Sequence, residues 1–126
     1  TGFVMLSFEN GAIALIENSR QAAYGYDQRL EVFGSKGMAQ ADNNFKDTHQ
    51  FLDETGVHSS RPLDFFMDRY IDSYLHEMNA FIQALSQKTE PSVTGNDGLK
   101  ATAIAIAANK SMKENRPVKM TEILDV

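Results

Sequence analysis

The sequence contains no cysteine and no long apolar run. The lack of cysteine excludes disulfides, thiolate catalysis and cysteine-ligated zinc, and it fits a cytoplasmic protein. No stretch reaches the roughly 20 apolar residues that a membrane helix needs, and no signal-peptide pattern opens the chain. We therefore expect a cytoplasmic protein that does not contact a membrane.

Basic clusters and nucleotide-binding glycines are also missing. The chain carries 17 acidic and 12 basic side chains, a net charge of -5, and no basic cluster interleaved with aromatic residues, so nucleic acid is not expected as a partner. No Gly-x-Gly-x-x-Gly occurs, which places a dinucleotide-binding domain outside this chain. His49 and His58 are isolated in polar stretches, so we expect no metal site.

What is present fits one domain, since 126 residues with 42% hydrophobic side chains can fill a single core. Alternating or β-rich runs predict antiparallel strands in the first part, and a polar stretch with Gly56 and Pro62 predicts a surface loop over 53–62. The predicted strands are Phe3–Phe8, Ala12–Asn18, Gln28–Phe33, Met38–Ala41 and Thr48–Leu52.

Two helices are predicted in the second half. Apolar residues recur at three- and four-residue steps from Met67 to Leu85, within a helix that begins near Leu63. Polar side chains of residues 94–97 offer N-caps for an alanine-rich second helix over 98–114, thin enough to lie close against a neighbour. Residues 115–117 end it, and Val118–Met120 is predicted as a last short strand.

Strands followed by helices predict an α+β domain, a mostly antiparallel open sheet with helices packed on one face. The first two strands, however, are apolar on both sides. A sheet with one face in water should alternate apolar and polar residues. We therefore expect the open sheet face to pack on another copy of the chain or on another domain.

The most informative stretch is 18–37, where Tyr24-Gly25-Tyr26-Asp27 separates two strand-like runs. Gly25 permits backbone angles barred to other residues, and an extended backbone would put the rings of Tyr24 and Tyr26 on one face. The Tyr26 phenol could bond a polyol hydroxyl. From the residues alone, a core tyrosine beside a turn fits Tyr26 better. Gly34–Gly37 fits a hairpin turn rather than a phosphate loop.

Tyr24–Asp27, with a following strand that ends Gly34-Ser35-Lys36-Gly37, resembles the C-terminal domain of inositol 2-dehydrogenases. These belong to the glucose-fructose oxidoreductase-like family of NAD-dependent sugar and polyol dehydrogenases. The resemblance implies that the second tyrosine of the motif, Tyr26, reaches the substrate, while Tyr24 packs or lines the same pocket. It also matches the first predicted helix to a later helix of the family, through Arg69, Tyr70, Tyr74, Glu77 and Phe81.

Asp72 and His76 form an Asp-x-x-x-His whose spacing puts both on one helix face. The family uses such a motif with a lysine in catalysis, but the resemblance places that set before the first strand of this chain. Both residues also lie opposite the apolar stripe, where a solvated ion pair is the plainer interpretation. We therefore predict no catalytic residue in this chain.

The resemblance implies a substrate-binding and oligomerisation domain of an NAD-dependent inositol 2-dehydrogenase that serves inositol catabolism. NAD would be bound by a missing N-terminal Rossmann domain, and the isolated chain would be inactive. The expected partners are a cyclic polyol such as inositol, the protein's own N-terminal domain and other copies of the chain.

Two alternatives remain open. One is a stand-alone, non-enzymatic sheet domain for self-association, and the other is the same domain of a relative that acts on another sugar. The strand pattern that starts at Thr1 without a start methionine predicts a fragment of a longer protein, with a trimmed tag or a processed protein as the plain alternative.

Overall fold

The structure is a computed structural model that describes residues 1–124. It contains six strands, two α-helices and one 3₁₀ helix in that order along the chain. The strands are β1 (Gly2–Ser7), β2 (Ile13–Asn18), β3 (Leu30–Gly34), β4 (Gly37–Ala41), β5 (Gln50–Asp53) and β6 (Gly56–Ser59). The helices are α1 (Phe66–Gln87), α2 (Gly95–Glu114) and a 3₁₀ turn over Met120–Glu122.

The predicted α+β class, with antiparallel strands and two helices, is confirmed. Within residues 1–124 the strands pair as three two-stranded sheets, β1–β2, β3–β4 and β5–β6, instead of one continuous sheet. The segments between the hairpins bond their backbone to side chains: Gln21 N–H donates to Ser19 Oγ, and His49 N–H donates to Asp47 Oδ1. Such local bonds use backbone donors that a strand ladder would otherwise take.

The β3–β4 hairpin confirms the turn at Gly34–Gly37, because these two glycines face each other at its end. The loop predicted over 53–62 is wrong in part, since β6 occupies Gly56–Ser59 and pairs with β5. Asp53 Oδ1 accepts hydrogen bonds from the N–H and Oγ1 of Thr55, at 2.8 and 2.7 Å. This Asx-type turn reverses the chain between β5 and β6. The polar composition of the segment had predicted a loop there.

Helix α1 begins at Phe66, three residues after the predicted start, because the backbone of Leu63 is already committed. Its N–H donates to Asn44 O at 3.0 Å, and its carbonyl accepts from Tyr26 N–H at 2.7 Å. The Leu63 carbonyl would accept the first intrahelical hydrogen bond of a helix that began there, and it accepts from Tyr26 N–H instead.

Helix α2 begins at Gly95 and not at Gly98, with Thr94 as its N-cap and the Asp97 carboxylate accepting from Thr94 N–H at 2.8 Å. Asn115 ends the helix in the left-handed conformation, as its position after the periodic run indicated. The strand predicted over Val118–Met120 is wrong. Glu122 accepts hydrogen bonds from Lys119 N–H and Arg116, and this pairing closes a 3₁₀ turn in place of an extended strand.

The chain divides into two compact units. The first comprises Thr1–Phe3 and Leu15–Leu75, and the second comprises Val4–Ala14 and the described part of His76–Val126. In the second unit Ala103 and Ala107 are only 2% and 8% exposed, and their spacing of four puts them on one face of α2. No helix within residues 1–124 is both long and apolar enough to cross a bilayer.

Candidate functional site

The segment Tyr24–Asp27 is a turn built on Gly25. Gly25 has φ +134°, and a Cβ at this position would lie 2.9 Å from Pro62 O and 3.0 Å from Leu63 O. Only glycine combines this backbone angle with so close an approach of another backbone. The N–H of Tyr26 then donates to Leu63 O at 2.7 Å, so the turn is fastened to the segment that leads into α1.

Asp27 is the centre of the polar contacts in this turn. Its carboxylate accepts from Arg29 Nε at 2.8 Å, from Arg29 Nη2 at 2.9 Å, from Asn43 Nδ2 at 2.7 Å and from the Tyr24 hydroxyl. The Asp27 side chain is 15% exposed. These bonds, that from Arg29 first and then those from Tyr24 and Asn43, hold the pKa of Asp27 well below its usual range. Asp27 is therefore an ionised structural acceptor and not a proton donor.

The residue after Asp27 is held on both sides of its backbone. Gln28 N–H donates to Asn43 Oδ1 at 2.8 Å, and Gln28 O accepts from Arg69 Nη2 at 3.0 Å. Arg69 Nη2 also donates to Asp42 O at 3.4 Å. Asn43 and Arg69 are both half-buried. They connect the turn to the end of β4 and to the first part of α1.

Tyr26 is half-buried and packs edge-to-face on Tyr70, with ring centroids 6.0 Å apart and planes at 85°. This is a favoured aromatic geometry. The neighbouring Tyr70 phenol, and then desolvation, raise the pKa of Tyr26 above its ordinary value. Tyr26 thus stays a neutral phenol near pH 7 that can both donate and accept a hydrogen bond.

An open groove of about 540 Å³ lies beside the turn. A second, larger cavity of about 700 Å³ shares Asn43 and Phe45 with it and is lined mainly by polar residues from 43–50 and 59–60. Tyr26 lines neither of these two cavities, whereas Tyr24 and Asp27 of the same turn line the groove. The groove is lined by Tyr24, Asp27, Arg29, Asp42, Asn43 and Phe45.

The two tyrosines of the turn have different surroundings. The Tyr24 hydroxyl donates to the Asp27 carboxylate, whereas the Tyr26 ring contacts Tyr70. The prediction that both rings share one sheet face assumed an extended backbone, and the φ of Gly25 breaks that assumption. The Tyr24 hydroxyl is engaged with Asp27, and the Tyr26 side chain is beside Tyr70 and lines neither cavity, so the contact of Tyr26 with a ligand stays a prediction.

Sequence reasoning missed three of the residues around the turn. No motif singled out Asn43, while Arg69 and Tyr70 had appeared only as positions of a matching helix. The available signal was the adjacency of Arg69 and Tyr70 near the start of α1, a cation and an aromatic side by side on a helix. Nothing in the sequence showed that both would contact residues 26–28.

The other candidate residues are at exposed positions. Asp72 and His76 are exposed positions of α1, and their interpretation as a solvated pair stays a prediction. His49 lies 3.3 Å from Asp47 with its side chain 93% exposed. Throughout residues 1–124, no three His, Asp or Glu side chains gather closely enough to hold a metal ion.

His58 resembles a catalytic arrangement at first sight. Its Nε2 lies 2.9 Å from Thr55 Oγ1 and 3.3 Å from Asp53 Oδ1. A relay needs the nucleophile on one ring nitrogen and the acid on the other. Here both contacts involve the same nitrogen, and Thr55 also donates to Asp53. The three side chains close the β5–β6 turn.

Residues 1–120 match the family described as "Oxidoreductase family, C-terminal alpha/beta domain". The chain belongs to this oxidoreductase family. Its likeness to a myo-inositol 2-dehydrogenase of Thermotoga maritima reaches 48% identity over 124 residues, which is 98% of this chain and 37% of the relative. The chain thus spans little more than a third of that relative's length.

Solved structures of dehydrogenases are similar to this chain in fold. The crystal structure of a probable dehydrogenase from Thermotoga maritima superposes with a TM-score of 0.93 at 48% identity, over 97% of this chain and 37% of that one. A scyllo-inositol dehydrogenase from Lactobacillus casei, solved with NAD(H) and scyllo-inositol bound, gives a TM-score of 0.80 at 28% identity. That match covers 93% of this chain and 34% of the other.

Proposed function

We propose that this chain is the substrate-side domain of an NAD-dependent inositol 2-dehydrogenase. The observation that carries the proposal is the 48% identity, over nearly the whole chain, to a protein named myo-inositol 2-dehydrogenase. The bound inositol and NAD(H) in the name of a structural neighbour support the substrate class and the cofactor. In this proposal the complete protein transfers a hydride from a secondary alcohol of a cyclic polyol to NAD.

The chain itself does not fit the dinucleotide. It has no Gly-x-Gly-x-x-Gly turn, the turn that holds the pyrophosphate at a helix N-terminus in the doubly wound dinucleotide-binding fold. In the proposal an N-terminal domain outside this chain holds NAD and the catalytic residues. This chain contributes one wall of the substrate pocket, and the isolated domain is inactive.

Tyr26 is the residue of this chain that would contact the polyol. A neutral phenol can accept a hydrogen bond from one substrate hydroxyl and donate one to another. Packing on Tyr70 restricts the ring, so less conformational freedom is lost when the substrate binds. Tyr26 orients the polyol and does not itself remove its proton.

We predict that Tyr26→Phe in the full-length protein weakens inositol turnover and leaves NAD binding unchanged. The loss of one hydroxyl partner should cost about 0.5–1.5 kcal/mol in kcat/KM. Steady-state kinetics with inositol as the varied substrate measure this, and calorimetric titration measures the affinity for NAD. Wild-type kinetics for Tyr26→Phe would show that Tyr26 only packs.

We propose also that the open face of the β1–β2 hairpin is an interface between copies of the protein. In β1, Phe3 and Met5 are 63% and 66% exposed, and in β2, Ile13 and Leu15 are 70% and 57% exposed. These are alternate positions of each strand, so they belong to one face of it. Exposed apolar surface of this kind usually marks a contact site, and a two-fold axis would pair the same residues of two copies.

The expected result is that the full-length protein is an oligomer at micromolar concentration and that Phe3→Lys with Ile13→Lys lowers its mass in light scattering. A charge placed in a buried apolar interface is costly to desolvate. Val93→Lys, at a position that is 72% exposed in the loop between the helices, should leave the mass unchanged. An unchanged mass for the β1–β2 variant would exclude this face as the interface and leave another domain as its cover.

A further inference from the structure

Arg69 is a half-buried cation. Its guanidinium donates hydrogen bonds to two backbone carbonyls, Gln28 O and Asp42 O. These carbonyls belong to two different segments, the end of the Tyr24–Asp27 turn and the end of β4. Charge-assisted hydrogen bonds are stronger than neutral ones. One guanidinium nitrogen therefore ties two segments of the first unit to α1.

The neighbour of Arg69 in the helix is Tyr70, and the two residues contact the same turn. Tyr70 packs on the ring of Tyr26, while Arg69 holds the carbonyl two residues further along. Two consecutive residues of α1 thus fix the position of this helix against residues 26–28. Loss of the Arg69 contacts would remove the hydrogen bond that links α1 to Gln28 O, two residues after Tyr26, without removing any atom of Tyr26.

Asn43 completes the attachment from the other side. Its amide oxygen accepts from Gln28 N–H, and its amide nitrogen donates to Asp27 Oδ1. With Tyr26 N–H bonded to Leu63 O at 2.7 Å, the backbone on either side of the Tyr26 ring is anchored. Among these anchors the Arg69 side chain is the one that comes from α1.

We propose that Arg69 is a positioning residue that acts through Tyr26: by holding Gln28 O and Asp42 O it fixes the turn and so places the Tyr26 phenol against the polyol. This inference rests on the proposed function of the domain. It assigns to Arg69 no contact with the substrate. The proposal therefore requires that the effect of Arg69 on turnover pass through the Tyr26 hydroxyl.

A double-mutant cycle in the full-length protein tests this coupling. Arg69→Met and Tyr26→Phe should each lower kcat/KM for inositol about fivefold, as expected for the loss of one net hydrogen bond. The loss should arise from a higher KM for inositol, and the affinity for NAD should be unchanged. The double variant should also lower kcat/KM only about fivefold. Once the Tyr26 hydroxyl is absent, moving the ring removes no further hydrogen bond to the substrate. Independent residues would multiply to about 25-fold.

Two further variants keep the result interpretable. Arg69→Lys retains the charge and most of the stem but not the guanidinium geometry, so it should restore part of the loss and melt like the wild type. If Arg69→Met does not fold, Arg69→Lys takes its place in the cycle. Arg61→Met removes an arginine of the same unit that is 68% exposed and pairs with Asp64, and it should leave kcat/KM unchanged.

The outcomes separate the two proposals. A 25-fold loss in the double variant overturns the positioning role of Arg69 and leaves Tyr26 as a substrate contact. A silent Tyr26→Phe together with impaired Arg69 variants overturns the role of Tyr26, and with it the inference that Arg69 acts through it. Silent Arg69 variants beside an impaired Tyr26→Phe overturn the inference on Arg69 alone.

Discussion

Gly25→Ala in the full-length protein is expected to remove most inositol turnover and to lower the free energy of unfolding by about 3 kcal/mol, the sum of backbone strain and a steric overlap. The new methyl group would meet Pro62 O at 2.9 Å and Leu63 O at 3.0 Å while the backbone stays at φ +134°. Both obstacles are backbone atoms, which cannot rotate away. Relief requires the turn to move, and Tyr26 moves with it.

Gly56→Ala is the matched control for this variant. Gly56 has φ +136°, almost the angle of Gly25, but nothing lies within 4 Å of a Cβ built on it. It should therefore show the backbone strain alone, on the order of 1–2 kcal/mol, and wild-type turnover. Urea denaturation and steady-state kinetics measure both quantities. Equal destabilisation by the two substitutions would show that the close approach at Gly25 does not constrain the turn.

Asp27→Asn is expected to lower the free energy of unfolding by about 2 kcal/mol at pH 7, the range of hydrogen bonds to a charged group. The carboxylate accepts from Arg29, Tyr24 and Asn43. An amide offers those donors one oxygen and places an N–H₂ group against the rest. The turn loosens, and kcat/KM for inositol should fall at least as far as in Tyr26→Phe.

The effect of Asp27→Asn should depend on pH in a defined direction. The pKa of Asp27 is lowered in the folded protein, above all by Arg29, so the folded state favours the ionised form. The resulting stabilisation is complete above the unfolded-state pKa, about 3.9, and is lost as pH falls towards the lower folded-state value. The difference between wild type and Asp27→Asn should be constant above about pH 5 and should narrow below about pH 4.

Asp64→Asn serves as the control for this pH series. Asp64 is a carboxylate of the same unit that pairs with Lys46 and Arg61 while its side chain is 48% exposed. Solvent screens such surface pairs, so this variant should denature close to the wild type at every pH. A difference between wild type and Asp27→Asn that does not narrow in acid would contradict the ionic role of Asp27.

Local patterns in the sequence were enough for the class of the fold and for most of its elements. The three-four periodicity of Met67–Leu85 lies within α1, Thr94 is the N-cap of α2, and Gly34–Gly37 closes a hairpin. Each of these features depends on residues that are neighbours along the chain. The requirement for glycine at residue 25 was also visible, because a glycine between two tyrosines indicates an unusual backbone angle.

Errors arose where hydrogen bonds outside the regular ladders decide the local structure. Helix α1 starts late because the Leu63 carbonyl accepts from the N–H of Tyr26, a residue far away along the chain. The wrong strand over Val118–Met120 has a local cause instead, because Glu122 accepts from Lys119 N–H and Arg116 and closes the 3₁₀ turn over Met120–Glu122. Propensity yields to such hydrogen bonds.

The candidate site divides in the same way. The sequence by itself determined that the chain has no Gly-x-Gly-x-x-Gly motif, since such a motif depends on residue types at fixed spacing. Tyr26 was singled out only by the resemblance of Tyr24–Asp27 to inositol 2-dehydrogenases, because the residues alone favoured a packed tyrosine. Only the tertiary structure showed that Tyr24 is engaged with Asp27 and that Asn43, Arg69 and Tyr70 surround the turn. Those contacts join residues as far as 41 positions apart, and chain folding, not local pattern, brings such residues together.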